Sequence, residues 1–194
     1  MCYTIDEINI FLENISRNVI EADAEFQLYC ALLKLRESET SLEVFNKFPW
    51  TFHFSTNAML YSFLGKIAKV MDPATQGRNG TNKNSTFEFL HEIFESQLSR
   101  KMSIKVIALM KKMDKLNEGI LDIRNKDVAH LDRNTNRKDL LKKIERNRIR
   151  KILDIQIELL NIYKKINYDN SFIPYFFEFS LKRETQGIYE ALKR

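Results

Sequence analysis

A chain of 194 residues is long enough for one well-buried core and short for two domains, so we expect one domain with an appendage. Only five Gly and three Pro leave few sites for tight turns, which favours long helices and argues against a sheet protein. The two cysteines, Cys2 and Cys30, form no framework and no Cys-x-x-Cys pair, so the sequence supports neither a disulfide scaffold nor a thiolate zinc site. No signal sequence or membrane-spanning apolar run is visible, so we expect a cytoplasmic protein without membrane contact.

The first predicted helix begins at Thr4, which forms a capping box with Glu7. Its apolar positions continue to Val19, and a second apolar run covers about residues 22–36. The two runs are either separate helices or one long helix. Thr40 with Glu43 predicts the cap of the next helix, which is interrupted at Pro49.

The segment from Trp50 to Val70 is the most apolar helix, and we expect it to be central and almost entirely buried. Residues 72–84 form one long loop rich in Gly and Asn, without the Gly-Lys-Ser/Thr of a phosphate-binding loop. We expect a surface connection there, at the rim of a site. Ser85 with Glu88 predicts the cap of a short helix, and Ser103 the start of the next.

That next helix carries an apolar stripe with spacings of three and four: Val106, Leu109, Met113, Leu116, Ile120 and Ile123. The two positions that would continue the stripe are Asp127 and His130, with Arg124 beside it. Buried charge is costly unless it is paired, so the change indicates a site or a salt-bridged structural lock. A polar turn at Asp132–Asn136 and a long helix over about 137–166 are predicted to follow.

Arg124-Asn125, four residues and then His130 resemble the signature of the HEPN superfamily. The version here, closed by Ala-His-Leu-Asp, most resembles the abortive-infection U-type branch, AbiU2-like proteins of phage defence. The segment Leu64 to Pro73 (Leu-Gly-Lys-Ile-Ala-Lys-Val-Met-Asp-Pro) is similar to a helix end of that branch. The resemblance covers residues 1 to about 165. It implies an all-α, antiparallel helical bundle of HEPN type.

The resemblance also implies a metal-independent ribonuclease that cleaves single-stranded RNA, without a cofactor. In that role Arg124 would bind phosphate through its planar fork, and His130 would transfer a proton near neutral pH. Asn125 would orient the phosphate or ribose, with Asp127 and Lys126 in support. The alternatives are a non-catalytic HEPN module that binds RNA or a nucleotide, and a purely structural helix end in which Asp127 pairs with Arg124.

Six residues of regular helix separate Arg124 from His130 by roughly 9 Å along the axis and about 120° around it. One chain therefore presents the pair poorly to a single phosphate. A symmetric homodimer, as the resemblance implies, would bring two Arg and two His together. A helix distortion near Asn125 is the alternative within one chain.

Positive charge is concentrated after the motif, with nine Lys or Arg between Arg133 and Lys151 against two acids, Asp139 and Glu145. Such a field concentrates phosphates, although a solvated helix face is the alternative interpretation. The predicted RNA-binding residues are Arg133, Arg137, Lys142, Lys143, Arg146 and Arg150. RNA and an antitoxin or defence-system protein are the expected partners.

Residues 167–194 are rich in aromatic side chains around Pro174, and we expect a helical extension that docks on a bundle formed by residues 1–166.

Two further histidines have weaker patterns. His91 lacks the second His of a zinc-protease helix, because Glu95 stands in that position. His53 lies between two Phe residues, and we expect it to be packed and hydrogen-bonded to the backbone.

Overall fold

The computed structural model describes residues 3–37, 39–76, 82–123 and 145–168, together with Gly187 and Glu190. Its helices are α1 (Ile5–Leu35), α2 (Glu39–Lys47), α3 (Pro49–Lys69), α4 (Phe87–Phe94), α5 (Arg100–Ile123) and α6 (Arg146–Tyr168). A 3-10 turn over Glu95–Gln97 follows α4. Over the described ranges the only strands are β1 (Thr75–Gln76) and β2 (Asn82–Lys83), which pair antiparallel. The fold is all-α, as predicted.

Helix α1 begins with the predicted capping box. The Glu7 carboxylate accepts a hydrogen bond from the backbone N–H of Thr4 at 2.9 Å, and the Thr4 hydroxyl accepts one from the Glu7 N–H at 3.3 Å. The bond from the Thr4 N–H, together with one that the Thr4 hydroxyl donates to the same carboxylate at 3.0 Å, favours the ionised form and lowers the pKa of Glu7. The helix then continues without a break to Leu35, so the two apolar runs belong to one long helix.

The predicted cap of α4 is wrong by one residue. Thr86 is the N-cap, and its hydroxyl accepts a hydrogen bond from the N–H of Phe89 at 3.3 Å. Glu88 does not complete a capping box with Ser85, because its carboxylate accepts the N–H of Ala74 at 2.7 Å. That bond ties the start of α4 to the segment that precedes the β1–β2 pair.

Two other predicted helix starts are also wrong. Helix α2 begins at Glu39, so Thr40 lies within the helix rather than before it. Helix α5 begins at Arg100, ahead of the predicted Ser103, because the Ser99 hydroxyl accepts a hydrogen bond from the N–H of Met102 at 3.3 Å.

The described chain forms two compact units. The first contains residues 3–19 and the described parts of 65–172. Its core combines α1, α4, α5 and α6, with Leu12, Leu90, Phe94, Ile152 and Leu159 all buried. Helices α1 and α6 are connected by a hydrogen bond from the Asn167 side-chain amide to the Asn9 side-chain oxygen at 2.8 Å.

The second unit is described over residues 20–64, where Phe63 of α3 packs edge-on against Phe26 and Tyr29 of α1. The prediction that α3 is almost entirely buried is wrong for its first turns. Trp50 is 71% exposed and Phe54 is 65% exposed, with their rings stacked at 6.0 Å. High apolar content therefore identified the helix but not how much of it is covered.

The predicted domain boundary at residue 166 stays a prediction, because most of 167–194 lies outside the described residues. The same holds for the docked aromatic extension and for the polar turn at Asp132–Asn136. The predicted final helix is described from Arg146 onward.

Candidate functional site

Most of the predicted site falls on residues that the structure does not describe. These are Arg124, Asn125, Lys126, Asp127 and His130 of the motif, and Arg133, Arg137, Lys142 and Lys143 of the basic stretch. The described chain reaches the residue immediately before the motif, since α5 ends at Ile123. It resumes at Glu145, and α6 starts at Arg146. The described residues therefore include the flanks of the site on both helices.

The apolar stripe of α5 is the core seam that its spacing predicted. Val106, Met113, Ile120 and Ile123 are buried, whereas Leu109 and Leu116 are partly exposed. Helix α6 also buries one apolar face, which contains Ile149, Ile152, Leu153, Leu159 and Leu160. The stripe thus remains part of the core up to Ile123, the last described residue before Arg124.

Two contacts show that α5 and α6 run antiparallel. Near the start of α5, the Lys105 ammonium lies 2.6 Å from the carboxylate of Glu158. Further along α5, the Arg148 guanidinium donates from Nε to the carbonyl oxygen of Leu116 at 2.6 Å and from Nη2 to that of Lys115 at 3.2 Å. The end of α5 and the start of α6 therefore lie together, and we call this the motif end of the pair.

Arg148 is a structural residue of the motif end. Its guanidinium donates to two main-chain carbonyl oxygens of the neighbouring helix, so the side chain fixes the register of α6 against α5. Arg150 is also engaged, because its Nε and Nη2 atoms both lie 2.8 Å from Oδ1 of Asp154. Of the two predicted RNA-binding residues that are described, Arg146 is exposed and Arg150 is partly neutralised by this ion pair.

The motif end carries cations that the sequence analysis missed. Lys111, Lys112 and Lys115 of α5 are exposed, and so are Arg146 and Lys151 of α6. The count of basic residues started after His130 and so passed over α5. A signal was present, because residues 100–116 contain six Lys or Arg against one acid, Asp114. We call Lys111, Lys112, Lys115, Arg146 and Lys151 the basic face.

At the far end of the pair, Lys105 is matched by Glu158, Arg100 and Lys101 are exposed, and Tyr163 lies in the core. Tyr163 is fully buried and packs against the ring of Phe94 at 5.6 Å between centroids. Its hydroxyl has no hydrogen-bond partner among the residues that the structure describes. Burial raises the pKa of Tyr163 far above its usual range, since the phenolate would be poorly solvated there.

The two other histidines differ from their predictions or carry no site. His53 is exposed rather than packed, and its Nε2 atom lies 3.1 Å from the side-chain amide of Asn57. It lines an open pocket of about 410 Å³ in the second unit, together with Arg36 and Trp50. His91 is partly exposed on α4. Within the described ranges, no three His, Cys, Asp or Glu side chains cluster as metal ligands would.

An all-α chain with an antiparallel helix pair flanking an Arg-x-x-x-x-x-His motif defines a HEPN-type helical protein. The family model HEPN_AbiU2, described as AbiU2, matches residues 5–186, and the chain belongs to this family. The match extends beyond residue 165, where the sequence analysis placed the end of the resemblance. No curated protein and no solved structure matches the chain. Across the described helices, none has the length and apolarity needed to cross a membrane.

Proposed function

We propose that this chain is a metal-independent endoribonuclease of the HEPN type, acting in the cytoplasm in phage defence or as a toxin. The observation that carries the proposal is the family match, which runs through the motif Arg124-Asn125…His130. The basic face adds support, since it places exposed positive charge on the two helices that lead into the motif.

The motif residues suit the cleavage of RNA by its own ribose hydroxyl. A base takes the proton of the 2′-hydroxyl, whose oxygen attacks the adjacent phosphorus. The bond from phosphorus to the 5′-oxygen breaks, that oxygen gains a proton, and a 2′,3′-cyclic phosphate remains. His130 serves one of the two proton transfers, and Arg124 stabilises the charge that grows on the phosphate oxygens. Asn125 orients the phosphate or ribose, with Lys126 and Asp127 in support.

The active form in this proposal is a homodimer. Arg124 and His130 of one chain are poorly placed for the same phosphate on a regular helix, and a twofold axis supplies the second pair. A neutralising partner, such as an antitoxin or another defence protein, would act on this assembly. The dimer is tested by mixing Arg124→Ala with His130→Ala protein, because a mixed dimer retains one Arg and one His and regains part of the activity.

The test of the activity is cleavage of labelled single-stranded RNA in chelator. We expect His130→Ala and Arg124→Ala each to lower the rate by about a hundredfold or more, with helical content and oligomeric mass unchanged. His53→Ala is the matched control, because it removes an exposed histidine outside the motif and should cut at the wild-type rate. Full activity of purified His130→Ala would remove the proposal.

A second candidate is a HEPN module that binds RNA without cutting it. The basic face favours this alternative, because its cations attract phosphate whether or not His130 acts. Under it, Lys142→Glu with Arg146→Glu loses RNA binding, and no cyclic phosphate ends form with any variant. Cyclic phosphate ends that form with wild-type protein but not with His130→Ala would exclude this second candidate.

A further inference from the structure

Two equivalent positions along one edge of the α5–α6 interface carry different combinations of charge. Lys105 of α5 forms an ion pair with Glu158 of α6 at 2.6 Å. Seven residues later in α5 comes Lys112, and seven residues earlier in α6 comes Lys151. Because the helices are antiparallel and seven residues make about two turns, this step places Lys112 opposite Lys151. The first position pairs a cation, Lys105, with an anion, Glu158. The second position places two cations, Lys112 and Lys151, opposite each other.

The register is fixed on the other side of this lysine pair as well. Arg148, three residues before Lys151, donates to the main-chain carbonyl oxygen of Lys115, three residues after Lys112. The two lysines therefore lie between an ion pair and a guanidinium contact on the same edge of the interface. Sliding one helix along the other to separate the two lysines would break the Lys105–Glu158 ion pair or the hydrogen bond from Arg148.

No ion pair to either lysine of this pair is present among the described side chains. Both side chains are exposed. The nearby acid on α6, Asp154, is paired with Arg150. Like charges that face each other across a helix interface are unfavourable. Lys111, Lys115 and Arg146 add positive charge nearby, which the exposed acids Asp114 and Glu145 offset only in part. An anion bound between the two ammonium groups would relieve the repulsion.

We propose that Lys112 and Lys151 together bind a backbone phosphate of single-stranded RNA, at a site separate from the Arg124 and His130 motif. This inference rests on the proposed function, because it gives the RNA substrate a second point of attachment. From Lys112 to Ile123, the last described residue before the motif, α5 rises about 16 Å. One RNA strand therefore reaches from the lysine pair to the motif. The contact reads charge and not base sequence, since ammonium groups meet only phosphate oxygens.

The choice of RNA backbone over an acidic protein segment follows from how the charges are arranged. The basic face lies at the end of both helices that adjoins the motif, where it extends over residues 111–115 of α5 and 146–151 of α6. A polyanion that also enters the cleavage site matches that extension, and each phosphate that binds releases counterions. Polyglutamate is the competing probe, and binding of polyglutamate without binding of RNA would overturn the assignment.

Lys151→Glu is the informative variant, because it converts the lysine pair into a second copy of the Lys105–Glu158 arrangement. We expect its melting temperature to rise by about 1–3 °C, since repulsion is replaced by attraction. Its affinity for labelled single-stranded RNA should fall by about tenfold or more at low salt. The slope of log affinity against log salt should become shallower by about 0.7 for each phosphate that the variant no longer neutralises. Lys112→Glu should give the same two results.

Lys165→Glu is the matched control, with the same change of charge at an exposed lysine of α6 away from the motif end. Binding is measured in the His130→Ala background, so that the RNA stays intact. Equal decreases of affinity in Lys151→Glu and Lys165→Glu would reduce the effect to net charge and overturn the lysine site. So would unchanged affinity and salt slope in Lys151→Glu.

The two proposals fail in different ways. If wild-type protein binds RNA through the lysine pair and never cuts it, the ribonuclease proposal falls and the phosphate site stands. If Lys151→Glu cuts RNA at the wild-type rate with unchanged affinity, the phosphate site falls and the ribonuclease proposal stands.

Discussion

The two ends of the α5–α6 pair share a helix interface but handle charge differently. At the far end, Lys105 is matched by Glu158, and the buried ring of Tyr163 packs against Phe94. At the motif end, Arg148 donates to main-chain carbonyl oxygens of α5, and the register that these bonds set places Lys112 opposite Lys151. Neutralisation at one end is what a structural interface needs. At the motif end the like-charged position is the one for which we propose an RNA phosphate as the partner.

The largest effect on stability is expected from Arg148, which holds the motif end together. Arg148→Ala removes both hydrogen bonds to the α5 carbonyl groups and should lower the free energy of unfolding by about 2 kcal/mol. Urea unfolding measures this decrease. Arg148→Lys keeps the charge but not the planar fork, so it should recover only part of the stability. Full recovery with Lys would mean that charge alone, and not the two directed bonds, is what Arg148 contributes.

The far end is tested by the pH dependence of Tyr163. The raised pKa keeps its phenol neutral in the folded state, whereas the unfolded chain ionises near pH 10. The unfolded state then binds fewer protons, so wild-type stability falls as pH rises above 10, by about 1 kcal/mol per pH unit. Tyr163→Phe has no phenol to ionise, so its free energy of unfolding should rise relative to that of the wild type as the pH increases above 10. Parallel stability curves from pH 9 to 11 would contradict the assignment.

The smallest effect belongs to the exposed pair at the far end. Lys105→Met should change the free energy of unfolding by less than about 1 kcal/mol, because exposed ion pairs are screened by water and salt. It should leave RNA affinity unchanged, in contrast to Lys112→Glu. A decrease of RNA affinity in Lys105→Met as large as that in Lys112→Glu would erase the distinction between the two ends.

Several features of the fold follow from the sequence because they depend on neighbours along the chain. The Thr4–Glu7 capping box and the stripe from Val106 to Ile123 are of this kind, since helix periodicity places their members on one face. The cap of α4 was missed by one residue because Ser85 and Thr86 are both able to cap. Only the tertiary bond from Ala74 to Glu88 distinguishes them.

Other features depend on how helices align in space, which no local pattern records. The exposure of Trp50 and Phe54 shows that apolar content does not reveal which faces find a partner. The opposition of Lys112 and Lys151 requires the register of α5 against α6, and residues 39 positions apart in sequence give no sign of it. The motif itself was recognisable from Arg124 and His130, because its spacing lies within one stretch of chain.

The most direct test of the account is to locate bound RNA on the protein. Full-length His130→Ala is photo-crosslinked to thiouridine-labelled single-stranded RNA in chelator, and the modified peptides are identified by mass spectrometry. We predict adducts on peptides that contain Lys112, Lys115 and Lys151, together with peptides from the motif. Adducts confined to peptides around Lys105 and Glu158, with none on the basic face, would contradict the assignment of the motif end as the surface that binds RNA.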